Sequence, residues 1–143
     1  MSYEKPNGIV LEIIDESLNY QLGSNYDDLT NKPKFTKRVL KELNAKKRKK
    51  VFEQKDIEEV LDYVLQFCLS EGRIPNTIHS KKIENLGENC YEFKSGNLRV
   101  GGFHIEPDIF LVHNFKKGTK NQQKFIQSIK QAKKAYLKGH ENE

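Results

Sequence analysis

Acidic residues are missing from the last part of this chain. Between Ile109 and His140 there are eight lysines and no Asp or Glu. A field of one sign over so short a stretch argues against a cationic ligand and implies a polyanionic partner. The opening of the chain is the reverse. Residues 1–31 hold six acids and one Lys, which is −5, and the whole chain is +5, so the remaining 112 residues carry +10.

Cysteine is scarce as well. Cys68 and Cys90 are the only two, which excludes a disulfide framework and a metal-ligand spacing; both sit in apolar context and are expected to be buried free thiols. No apolar run approaches the roughly 18 residues of a membrane span. The start, MSYEKPNG, carries an acid where a secretory signal would be basic. A cytoplasmic protein away from membranes is therefore expected. Repeats and low-complexity tracts are absent too. What is present is enough for one core: 143 residues, 36% of them apolar, with 8 Phe and 6 Tyr.

The pattern changes along the chain from helical to extended. Ile9 to Ile14 reads either as a buried strand or as the start of an amphipathic helix ending at Gly23, and Ser24 to Pro33 is a loop rich in Asn, Asp, Thr and Pro. From Thr36, the residues Val39, Leu40 and Leu43 lie on one helical face with Lys and Arg opposite. A second helix is capped by Asp56 and Glu59, keeps helical spacing from Ile57 to Leu69, and stops at Gly72. Beyond Pro75 the runs become short and β-like. Tyr91 to Phe93, Leu98 to Ile105 and Ile109 to Phe115 are separated by the turns Ser95-Gly96-Asn97 and Glu106-Pro107-Asp108, which predicts a three-stranded antiparallel meander. A last helix follows from about Asn121 to Lys138, with Tyr136 in its core face and Gly139 at its end. The fold class is α+β: two N-terminal helices, a three-to-four-stranded antiparallel sheet and a C-terminal helix.

Three segments carry a resemblance. Cys90-Tyr91-Glu92-Phe93-Lys94, Asn97-Leu98-Arg99-Val100 and Ile109 through His113-Asn114-Phe115-Lys116-Lys117 resemble the core signature of the RelE/HigB toxin superfamily, particularly its phage-derived branch. Upstream, Lys34 to Leu43 is similar to that family's opening strand and first helix. The resemblance spans about residues 33–138, so residues 33–140 are read as a toxin domain and 1–32 as an acidic extension that either docks on the basic domain or completes its core. It implies the toxin of a type II toxin-antitoxin system: an endoribonuclease acting on mRNA at the ribosome, without metal or other cofactor, and held by a small helix-turn-helix antitoxin. One branch of the same fold inhibits gyrase instead. That leaves a second reading, a non-catalytic toxin-fold protein that binds nucleic acid or a protein target.

By the resemblance, Lys94 and Arg99 fall against the cleaved phosphate and Lys116 and Lys117 at the basic strand end. Several family members have a tyrosine in or before the last helix where this chain has Phe125, so the resemblance supplies no general base. Cutting RNA through its own 2′-OH requires a proton acceptor, a cation for the charge developing on phosphorus, and a donor to the leaving 5′ oxygen. Arg99 suits the phosphate by its planar fork. His104 and His113 are the candidate acids and bases, since imidazole titrates near working pH, at about 6.5. The run Lys46-Lys47-Arg48-Lys49-Lys50, together with Lys120 and Lys124, is read as an RNA-backbone footprint without sequence readout.

That footprint predicts a steep salt dependence of RNA binding, roughly 0.7–0.9 log units per log of salt for each phosphate contact. Replacing Lys46 to Lys50 by Gln should flatten the slope measured by filter binding across a salt series. An unchanged slope would place the run away from RNA.

Overall fold

The structure, a computed structural model, describes residues 2–4, 10–13, 31–36, 39, 43, 52–79, 81–118 and 122–141. These form strands β1 (Ser2–Glu4), β2 (Val10–Ile13) and β3 (Lys32–Thr36), helix α1 (Gln54–Leu69), strands β4 (Ile83–Gly87), β5 (Cys90–Ser95), β6 (Leu98–Ile105) and β7 (Asp108–Lys116), and helix α2 (Gln122–Glu141). The strands share one sheet in the order β1-β2-β3-β7-β6-β5-β4. Five of them, β3 to β7, make the body; β1 and β2 extend it at the β3 edge. The sheet is mixed, because β3 runs parallel to β7 while every other neighbouring pair is antiparallel.

The α+β class holds, and its detail differs from the sequence reading. The expected three-to-four-stranded antiparallel sheet is larger and mixed. Strand β4 went unread because its hairpin to β5 turns through Glu88 and Asn89, at φ 55° and 61°, and Glu is not a residue that advertises a left-handed turn. Of the two N-terminal helices, α1 is described in full, whereas the one expected from Thr36 lies mostly outside the described residues. Val39 and Leu43 are helical and buried there, and the Val39 amide donates to Thr36 Oγ1 at 3.4 Å, an N-cap contact. Helix α1 begins at Gln54, with Glu53 at its N-cap and no side-chain cap; Asp56 lies inside the first turn. Helix α2 continues past Gly139 to Glu141.

Helices cover both faces of the sheet. Ile57, Val60, Leu61, Val64 and Phe67 of α1 pack on Phe35, Phe93, Leu98, Val100, Ile109 and Leu111. On the other face Ile129 and Tyr136 of α2 pack on Cys90, Phe103, Phe110 and Val112. Both thiols are buried and free, as expected. Burial, and secondarily the Asp108 carboxylate, pushes the Cys68 thiol up to about 12, which leaves it inert.

Between Gly101 and Gly102 the β6–β7 register slips. Gly101 pairs with His113 and Gly102 with Leu111, so Val112 is an extra residue on β7. Up to the slip, Ile109 and Leu111 face α1; beyond it, His113 and Phe115 face α2.

Helix α1 ends in a Schellman arrangement: the Gly72 amide donates to Phe67 O at 3.0 Å and the Glu71 amide to Cys68 O at 3.2 Å. Glu71 holds the left-handed position at φ 58°, where a Cβ costs on the order of 1 kcal/mol. Glu71→Gly should therefore raise the urea midpoint, by roughly 0.5–1 kcal/mol of stability. A lowered midpoint would show that the Glu71 side chain itself supports the cap.

Candidate active site

Alternation along β5 and β6 puts Glu92, Lys94 and Arg99 on one face, because their neighbours Tyr91, Phe93, Leu98 and Val100 belong to the α1 core. Two rows cross the sheet there. One is Glu92, Gly101 and His113, and the next is Lys94, Arg99 and Phe115. Glu92 and His113 thus stand two strand spacings apart, about 10 Å between Cα atoms, with only a glycine between them.

Glu92 is fully buried, and neither of its carboxylate oxygens has a hydrogen-bond partner. Two cations flank it. Lys94 Nζ lies 3.7 Å and Arg99 Nε 3.9 Å from Oε1, close enough for strong attraction but beyond hydrogen-bond reach. Lys94 is shared with Glu84 at 3.4 Å. Burial raises the Glu92 pKa above the usual carboxylate value; the nearby Lys94 charge pulls it back, Glu84 raises it further and Arg99 lowers it. Burial wins, so Glu92 holds a proton more readily than an ordinary Glu.

Arg99 is held by its own hairpin. Its side chain is only 13% exposed, and its Nη1 donates to Gly96 O at 2.9 Å and Leu98 O at 3.0 Å. The hairpin turn therefore fixes the guanidinium. That turn needs Gly96: it sits at φ 53°, and a Cβ there would overlap the Asp56 carboxylate. Asp56 in turn lies 3.1 Å from the Ser95 hydroxyl, which also meets Glu59 at 2.5 Å. So α1 braces, from the opposite face, the turn that holds Arg99.

Helix α2 covers the rows. Its Phe125 ring stacks on Phe115, centroids 4.6 Å apart and planes 4° from parallel, and meets His113 edge-on at 6.5 Å. Ile129 lies over Gly101, where a Cβ would overlap its Cδ1.

The remaining sequence candidates are spread more widely. Lys117 is exposed in the turn after β7, and its amide donates to Asn97 O at 2.8 Å, beside the Arg99 hairpin. Lys116 is exposed and pairs with Leu98, a residue of the α1 face. His104 also lies on the α1 face: its ring meets Phe67 edge-on at 5.7 Å, and its Nε2 lies 2.9 Å from Asn31 Oδ1 and 3.3 Å from Glu106 Oε2. It is not brought together with Lys94 and Arg99. Lys124 is exposed at the start of α2, next to Phe125, while Lys46, Lys47, Arg48, Lys49, Lys50 and Lys120 lie outside the described residues. Tyr136 is buried against Phe103 and Phe110. Among the described residues no group of three or more His, Cys, Asp or Glu is placed to hold a metal ion.

Glu92 is a titrating group that the sequence analysis does not single out. The available signal was its phase, two residues before Lys94 on the same strand.

Because the folded value of Glu92 lies above its ordinary 4.5, folding takes up a proton. The stability tied to the neutral carboxyl is fully present below the unfolded value and is lost as pH rises through the folded one. Glu92→Gln removes this loss. Urea unfolding from about pH 4 to about pH 8 should therefore show the variant gaining on the wild type as pH rises. A gain in the opposite direction would mean that the two cations outweigh burial.

No family model, curated protein or solved structure matches the chain, so the functional reading rests on the residues and their placement.

Proposed function

We propose that this chain is a toxin of the RelE/HigB type that cuts mRNA on the ribosome through the RNA's own 2′-OH, without a metal. The observation that carries the reading is the pair of rows: a buried carboxylate without a hydrogen-bond partner and an imidazole on either side of a glycine, with two cations one row away. The element order supports it as well, with an opening strand parallel to the last one, an antiparallel meander and a terminal helix.

In this reading Glu92 accepts the 2′-OH proton, and its raised pKa brings it nearer to working pH than an ordinary carboxylate. Arg99 and Lys94 stabilise the charge that develops on the phosphoryl oxygens. His113, protonated, donates to the leaving 5′ oxygen. The base that the Phe125 position does not supply is thus assigned to β5. Exposed Lys117 and Lys124 line the approach for phosphates, and they suit an antitoxin with an acidic docking segment.

A second reading is favoured by the cover: with Glu92 and Arg99 under α2, the chain is a toxin-fold protein that binds nucleic acid or a protein target and cuts nothing.

One experiment separates the two. Purified protein is incubated with ribosomes and mRNA in a magnesium buffer, and separately with RNA alone in EDTA, and the ends are mapped. Cleavage leaving 2′,3′-cyclic phosphate ends is expected. Arg99→Ala should slow it on the order of 10²–10³-fold, and Glu92→Gln and His113→Gln each by about 10²–10⁴-fold. Intact RNA under every condition would rule out the enzyme and leave the binding protein.

A further inference from the structure

The cations proposed for phosphate contact are largely covered in the arrangement described. The Lys94 and Arg99 side chains are 18% and 13% exposed and Glu92 not at all. Among the described residues, the element that lies over these rows is helix α2, with Ile129 over Gly101 and Phe125 over Phe115.

That element is weakly built for a permanent cover. Ile129 and Tyr136 are buried, whereas Phe125, Ile126 and Ala132 are only half-buried. The helix carries Lys124, Lys130, Lys133, Lys134 and Lys138. Like charges repeat at i, i+3 and i, i+4 from Lys130 to Lys138, each pair working against the helix. Its first turn has no acid to meet the helix dipole. One lysine is tied down, Lys133, whose Nζ donates to Glu88 O at the far end of the sheet. The N-terminal half, over the two rows, depends on Ile129 and the stacked phenylalanines. It carries Lys124 and Lys130 and no acid in its first turn, so nothing there opposes the approach of a phosphate.

We propose that α2 is a displaceable cover on the Glu92–Arg99 site: the closed arrangement is the resting state, and an RNA phosphate reaches Lys94 and Arg99 by lifting the N-terminal half of α2, with Tyr136 and Lys133 as the retained end. The inference rests on the phosphate reading of the site. It adds that binding and α2 docking compete, so a ligand loosens the helix instead of tightening it. Most ligands slow exchange where they bind; competition predicts the opposite sign.

The test is amide hydrogen exchange on the full chain, followed by mass spectrometry, with and without cytidine 3′-monophosphate. Residues 125–132 should exchange at least threefold faster with saturating nucleotide, while β5 to β7 stay unchanged. Ile129→Ala should speed exchange of the same segment at least tenfold without nucleotide, since a buried isoleucine is lost from the contact, and should bind the nucleotide more tightly by a similar factor. If Ile129→Ala does not fold, Phe125→Ala, at a half-buried position, carries the same expectation. Nucleotide binding that leaves α2 exchange unchanged or slower overturns the cover alone. No binding to the wild type or to the opened variant overturns the phosphate site with it. Because the probe is not cleaved, absence of ribonuclease activity does not affect the outcome.

Discussion

With α1 packed on one face of the sheet and α2 on the other, a polar side chain in the middle of β5 or β6 has little open surface to turn to. Each must find its partners beneath a helix. That constraint brings Lys94 and Arg99 to Glu92, because an ion desolvated in such a layer is tolerable only near opposite charge. It also explains why the compensation is incomplete. The two cations stand beyond hydrogen-bond distance from a carboxylate that has no other partner. A group assembled only for stability would close those gaps, since buried polar atoms are ordinarily satisfied. Left unsatisfied, Glu92 is disposed to exchange protons.

The opposite face contributes to the same arrangement from beneath the sheet. Ser95 and Gly96 lock the β5–β6 hairpin against Asp56 and Glu59 of α1, and the carbonyls of Gly96 and Leu98 hold the guanidinium of Arg99. The position of Arg99 is thus specified by residues on a helix that never meets it. Such support from rigid elements is what electrostatic stabilisation of a developing charge requires.

Much of the fold was legible because its signals are local. The apolar spacing of Ile57 to Leu69, the Ser95-Gly96-Asn97 turn and the aromatic runs of β5 to β7 are written in neighbouring residues. The parallel docking of β3 on β7 was not, since it joins segments some seventy residues apart and no local pattern records it. Strand β4 was hidden by a Glu-Asn turn. The site was half legible. Lys94 and Arg99 were picked out by the resemblance and His113 by residue type, but alternation alone carried forward from Ile109 puts His113 on the α1 face. Only the extra residue Val112 turns it toward Glu92 and Arg99. His104 shows the converse: the same residue type on an adjacent strand, delivered by regular pairing to Phe67 and Asn31 on the far side.

The slip at Val112 has a consequence for how the chain can vary. It divides β7 into two stretches under different rules. Before it, Ile109, Phe110 and Leu111 fill two hydrophobic layers at once, and almost any change of size there is felt in packing. After it, His113 and Phe115 turn to α2, where both meet the ring of Phe125. A single inserted residue lets one continuous strand serve the α1 layer with every second side chain along its first half and turn the same phase toward α2 along its second, so a deletion at Val112 would exchange the two environments.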